Sequence, residues 1–273
     1  ICTIGKRKMK SLTFKLLSLT SLFFTFSLSV SSDHWKHNLE LLDVLIISDH
    51  TKLKPFNSDT SGFNGIERTY VDPSIEQFKS ILKKRGLQTA VLHIEDLALD
   101  HEILSRGHQE ELYTTYDQIL IEAAQQNVTI ISIHLDAEKI ATNDLSQIPY
   151  PTNTDTKTYL YQGGAQIILD QRNISHESLQ LAHKILFSNF FFILKYKGIS
   201  IRPTYSTRLR LQSNISMNLA GNSKGGAALI ELGALDELKR LFKTPEAIAE
   251  NLHQPLDELA SIIEDHRQSL WLK

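Results

Sequence analysis

"TIISIHLDAE", Thr129 to Glu138, is the stretch on which the reading of this chain turns. It opens with mostly β-branched, apolar residues and reads as a buried strand. The run then meets His134, with Asp136 and Glu138 just beyond. Two accounts fit a core strand that ends on an imidazole among carboxylates. One is a polar tip on a structural strand; the other is a strand that carries a metal ligand to the floor of a site.

Working outward, the same strand-length pattern recurs. "LLDVLIIS" (Leu41 to Ser48) is apolar and rich in β-branched residues, and it stops beside His50. "LQTAVLHI" ends near His93, "GGAQIIL" follows a polar excursion from Lys139 to Thr158, and "AALIELGAL" (Ala227 to Leu235) carries Glu231 within an apolar run. Between these runs the apolar residues take helical spacing. "DPSIEQFKSILKKRG" predicts a helix capped by Asp72, with Pro73 in its first turn and Gly86 as its stop. "QEELYTTYDQILIEAAQQN" (Gln109 to Asn127) predicts a second helix, and "SHESLQLAHKILFSNFFFILKYKG" a third, capped by Ser175. A C-terminal helix follows, interrupted near Pro255.

Strands alternating with helices predict an α/β fold: a three-layer, mostly parallel twisted sheet with helices on both faces. In such sheets chemistry gathers beyond the carboxyl ends of the strands. His50, His134 and Glu231 all stand at or near those ends. Glu231 is the least easily dismissed, because a buried ionised carboxylate costs several kcal/mol unless a partner or a cation offsets it.

The 273 residues divide unevenly. "MKSLTFKLLSLTSLFFTFSLSVSS" (Met9 to Ser32) has the basic start, apolar middle and small-residue exit of an export signal. Its middle is short and Ser-rich for a spanning helix, which wants about 20 apolar residues. The expectation is therefore residues 1–32 as upstream sequence plus signal peptide, with the start at Met9, and 33–273 as one catalytic domain. The protein would be exported to the periplasm or beyond, with no stable membrane span after cleavage. Residues 1–32 hold five of the 29 Lys and Arg and none of the 31 Asp and Glu, so the remainder is net −7. Such a body argues against nucleic acid as a partner. The single cysteine, Cys2, lies in the leading segment, which excludes a cysteine nucleophile and a thiolate metal site from the body.

Taken in order, "LIISDHTK", "GIERTYVDPSIEQFKSILKKRG", "SIHLDA" and "ALIELGAL" resemble the zinc-dependent N-acetylmuramoyl-L-alanine amidases that cut bacterial cell walls. The likeness runs from about Asp43 to Ile263. "GISIRP" and "LRLQSNISMNLAG" resemble the segment before that family's last strand. The resemblance implies one Zn2+ held by His50, Glu67 and His134, with Glu231 as the catalytic carboxylate and peptidoglycan as the substrate. Glu67 is preferred to Glu76 because it precedes Gly86 by the family's nineteen residues, whereas Glu76 falls in the helix body. The family's Gly-His-Gly is replaced by Asp49-His50-Thr51, so the first loop is rebuilt; Asp49 is either a partner to a ligand histidine or a turn residue.

Two other readings accompany this one. The same residues suit a zinc amidohydrolase acting on a small acyl-amino acid or poly-amino acid, and the scaffold also suits a non-catalytic wall-binding protein. Of the remaining histidines, His34, His37, His253 and His266 are expected to be exposed. His93 is either a cleft residue or a core tip, and His101 and His108 lie in a polar connection. Arg202 and Arg210 are candidates to bind a substrate carboxylate or, on the plainer account, solvated basic positions. Lys139 to Thr158 is a candidate lid over the site.

Overall fold

The computed structural model describes residues 39–48, 63–97, 106–136, 139–142 and 159–271. The chain clusters into Ile1–Asn38 and Leu39–Lys273, and everything below concerns the second unit. The segment read as an export signal, His34, His37, Asp49, His50, Thr51 and His101 lie outside the described residues, as does most of the candidate lid.

Six strands form one sheet in the order β2-β1-β3-β8-β6-β7: β1 (Val44–Ser48), β2 (Thr89–His93), β3 (Thr129–Asp136), β6 (Gln166–Asp170), β7 (Leu209–Gln212) and β8 (Ala227–Ala234). β2, β1, β3 and β8 run parallel. β6 is antiparallel to β8, and β7 follows β6. This is the mostly parallel α/β sheet that the alternating pattern predicts. The reversed pair has a consequence for the site: the beginnings of β6 and β7 lie at the edge where the other four strands end. β4 (Lys139–Thr142), which opens the stretch read as a polar excursion, and β5 (Tyr159–Gln162), which follows it directly, form a separate antiparallel pair.

The pleat separates two environments. Val44, Ile46, Ile131, Ile133, Ile167, Ala228, Ile230 and Leu232 share one core with α1 (Phe63–Lys84), α3 (His176–Phe187), α4 (Phe190–Tyr196) and α8 (Pro245–Trp271). The alternate positions of the same strands include Ser132, His134, Asp136, Gln166 and Glu231. These belong to the other face, where α2 (Arg106–Gln125) and α6 (Ile215–Ala220) pack together. Helices therefore cover both faces, which is why the strands are apolar on both sides where the chemistry does not intervene.

Three helix expectations need correction. α1 does not start at Asp72; it starts at Phe63 and contains Pro73. Its apolar stripe extends upstream to Val71 and continues through Ile75, Phe78 and Leu82, all buried. That burial outweighs the one backbone bond Pro73 cannot make. Asp72 is then no cap but an i,i+4 partner of Arg68 at 3.1 Å. α8 likewise runs unbroken through Pro255, because Leu252, Leu256, Leu259 and Ile263 keep one buried face across it. The third predicted helix is two, α3 and α4, parted at Ser188, whose hydroxyl donates to Ile185 O at 2.8 Å. Its start is as expected: the Ser175 hydroxyl accepts from the Ser178 N–H at 3.0 Å. Among the described residues no helix is long and apolar enough to cross a membrane.

Candidate active site

Because α1 begins well before Pro73, Glu67 sits in its second turn, at the edge where β3 ends. Its Oε1 accepts the backbone N–H of Leu135 at 2.8 Å, and the residue is only 2 % exposed. Glu76, in contrast, pairs with Lys79 at 3.2 Å on a solvent-facing side of the same helix. Of the two, Glu67 is therefore the buried carboxylate and Glu76 the solvent-facing one.

His134 meets Glu67 directly. The imidazole Nδ1 stands 3.4 Å from Glu67 Oε1, and Nε2 lies 2.8 Å from the hydroxyl of Ser132, two residues earlier on the same face of β3. Glu231 stands on β8 as the register partner of His134. The residue is half-buried, yet its Oε2 is sealed from solvent with no hydrogen-bond partner among the described residues. Burial pushes the Glu231 carboxyl well above the usual carboxylate range. His134 pulls the other way, Asp136 and Glu67 add to the rise, and Arg202 opposes it. Just past this point β8 advances three residues while β3 advances two, from His134↔Glu231 to Asp136↔Ala234. Such a bulge re-aims side chains beside a site.

Asp136, a third carboxylate near this pair, is engaged elsewhere. Its Oδ2 accepts from the Gly164 N–H at 3.2 Å, from Gln166 Nε2 at 3.2 Å and from Arg202 Nη2 at 2.5 Å. Arg202 is 2 % exposed, so the account of it as a solvated basic position is overturned. An Arg with a carboxylate partner can be buried, and "IRP" alone does not show that the partner is 66 residues upstream. Its backbone N–H donates to Ala165 O at 3.2 Å, and two residues earlier Glu237 of α7 (Leu235–Phe242) accepts the Ser200 N–H at 2.9 Å and its hydroxyl at 2.6 Å.

His266 also departs from expectation. It is fully buried, with Nε2 3.1 Å from Gly225 O, far from the polar face that a terminal helix suggests. His253 is exposed, as expected. His93 ends β2 opposite Ser48, half-buried and two strands from His134.

Of the four residues implied by sequence, Glu67 and His134 meet, Glu231 stands in register with His134 on the neighbouring strand, and His50 lies two positions past the end of β1 and outside the described residues. Among the described residues no three metal-ligating side chains form a cluster. The pair that is described fits zinc on its own geometry. Two ligand atoms at tetrahedral angles on bonds of 2.0–2.1 Å lie about 3.3–3.4 Å apart, which is the His134–Glu67 separation. As a hydrogen bond, 3.4 Å would be long. The orphaned Oε2 of Glu231 beside this pair is a further sign, since a buried carboxylate oxygen wants a cation or a proton. Ser132 is the residue that sequence reading missed. Its signal was the strand period of two, which puts it under His134.

No protein-family model matches the chain, and no curated protein matches it by sequence. Among solved structures it is similar to the N-acetylmuramyl-L-alanine amidase Ami1 of Mycobacterium smegmatis, with 14 % identity and a TM-score of 0.45 over 83 % of this chain and 99 % of that one. It is also similar to Ami1 of Mycobacterium abscessus, at 13 % identity and a TM-score of 0.41 over 78 % of this chain and 95 % of that one. AmiC2 of Nostoc punctiforme gives 15 % identity and a TM-score of 0.37 over 78 % and 95 %. What fold and site define together is an α/β domain with a Glu–His pair and a sealed carboxylate at the carboxyl edge of its sheet.

Proposed function

We propose that this chain is an exported, zinc-dependent N-acetylmuramoyl-L-alanine amidase. It would hydrolyse the amide between the lactyl group of muramic acid and L-alanine in peptidoglycan. The observation that carries this reading is the 3.4 Å approach of His134 Nδ1 to Glu67 Oε1 beside Glu231 Oε2, which has no hydrogen-bond partner among the described residues. The motif order along the chain supports it. Glu67 and His134 would hold one Zn2+ together with His50, which follows β1 within two residues.

Zinc, when bound, polarises the scissile carbonyl and makes water a competent nucleophile near neutral pH. The rest falls to the protein. Glu67 and His134 are held by α1 and β3 through the Leu135 N–H and the Ser132 hydroxyl, so little reorganisation is needed on substrate arrival. Glu231 takes a proton from the attacking water and delivers it to the departing amine nitrogen. Its Oε2 is screened from solvent, so bulk water competes little for that proton.

The test is zinc content of the purified protein together with release of free stem peptides from purified peptidoglycan. One zinc per chain and peptide release are expected, and His50→Ala should lower both. Zinc without peptide release would move the chain to the amidohydrolases of small acyl-amino acids. A protein with neither would be a wall-binding module.

A further inference from the structure

Two arginines stand beside the polar face of the sheet and take no part in the proposed chemistry, Arg202 and Arg210. In register across it stand His134 on β3, Glu231 on β8 and Gln166 on β6. Arg210 on β7 pairs with Ile168, two residues along from Gln166 and therefore on the same side of the pleat. From that edge strand its side chain reaches back over β6, bringing Nη1 to 3.5 Å from Gln166 Oε1. Arg202 answers the charge of Asp136 at 2.5 Å, and Gln166 bridges the two arginines by donating to Asp136 Oδ2 at 3.2 Å. Arg210 is half-buried on the outermost strand of the sheet, next to the row that ends at Glu231.

Burial lowers the proton affinity of both guanidiniums, while Asp136 and Glu231 raise it, so both arginines feel the site's carboxylates. They remain cations at any working pH. A guanidinium that is partly desolvated and fixed by an amide is well suited to bind a carboxylate in bidentate fashion.

We propose that Arg210 is a specificity-determining residue that binds a substrate carboxylate on the leaving-amine side of the scissile amide, so that acidic stem peptides are preferred to their amidated counterparts. The proposal rests on the amidase reading and deepens it. Strands lie about 4.8 Å apart, and the guanidinium already reaches the strand beside Glu231. A carboxylate seated on it would lie about 5–8 Å from the Glu231 carboxylate, and an extended residue spans about 3.3–3.6 Å. The recognised group is therefore borne within about two residues of the amide that is cut.

The experiment compares the full chain with Arg210→Met and Arg210→Lys on two synthetic muramoyl peptides. The two are identical except that the carboxylate of the residue after alanine is free in one and amidated in the other. A charge-assisted pair is worth a factor of roughly 10–100. The wild-type protein should therefore favour the free acid by about that factor in kcat/KM, through KM. Arg210→Met should treat the two alike, and Arg210→Lys should restore part of the preference. Equal KM values for acid and amide in the wild type would overturn the proposal. So would an equal loss of kcat on both substrates in Arg210→Met, which marks a merely structural role. If the wild type cuts neither peptide, the amidase reading has failed. Calorimetric binding of the same two peptides then decides the inference: tighter acid binding that Arg210→Met abolishes supports it, and equal binding sinks it.

Discussion

Glu231 on β8 is the register partner of His134 on β3. Adjacent parallel strands lie about 4.8 Å apart, so the sheet itself fixes a carboxylate beside the imidazole, and no loop motion is required to bring them together. Glu231→Gln keeps the shape and removes the proton carrier. Turnover of peptidoglycan should fall by a factor of about 10²–10⁴ while zinc content stays at the wild-type level. Dye release from labelled cell walls and metal analysis on the same sample check this. Wild-type turnover in the variant would end the role given to Glu231.

Ser132 acts on the other side of the ring. Its hydroxyl lies 2.8 Å from His134 Nε2, which leaves Nδ1 turned toward Glu67. Ser132→Ala, at a buried position with little change in volume, should loosen the ring and weaken zinc binding about 10–100-fold. Competition against a chelator of known affinity measures it. An unchanged zinc affinity would mean the ring is oriented by packing alone.

Stability should decline on the acid side in two stages. An unfolded histidine takes up its proton near pH 6.5, but burial holds His266 down to about 4, with Lys184 adding to the effect. Between those values the unfolded chain binds the extra proton. Stability is thus full above pH 6.5 and falls by at most about 3 kcal/mol on the way down to pH 4. Asp170 adds a second loss below about pH 4. Its carboxyl is held far below the usual range, first by the Arg172 side chain and then by the Asn214 and Arg172 backbone N–H groups and the Asn218 amide. Urea unfolding midpoints from pH 3 to 8 test both stages. His266→Gln should flatten the limb between pH 6.5 and 4, and an unchanged slope there would remove His266 from the account.

Gly225 sits where β8 leaves its loop beside the start of β3. A Cβ at this position would lie 2.3 Å from both the carbonyl carbon and oxygen of Val128. Backbone, not a flexible side chain, occupies that space, so Gly225→Ala must push β3 and β8 apart. A loss of about 3 kcal/mol or more is expected from denaturant titration. Because the shift would travel along the pair that carries His134 and Glu231, zinc affinity should fall with it.

Several features of the molecule could be read along the chain. Runs such as "VLIIS" and "IISIH" declare strands because apolar, mostly β-branched residues suit a pleated, doubly covered backbone. Their alternation with helical spacing gives the α/β class without further information. Ser175 as a cap and His134 near a strand end also follow from local pattern, since cap chemistry and strand position are set within a few residues; the choice of Glu67 over Glu76 comes from the spacing that the family resemblance implies. The reading failed where burial at a distance overrode local preference. Pro73 and Pro255 remain inside helices because apolar stripes on either side are covered by other elements. His266 is buried because α8 closes over Gly225.

The sequence alone therefore determined the class of the fold and the kinds of group the site would contain, because both depend on short-range periodicity and residue chemistry. Only the tertiary structure decided which groups meet. The partnership of Arg202 with Asp136 spans 66 positions and that of Glu67 with Leu135 spans 68. The reversed run of β6 against β8 brings Gln166 alongside Glu231. Contacts of that separation depend on strand order and register, which are fixed by how the two sheet faces are buried rather than by any residue's immediate neighbours.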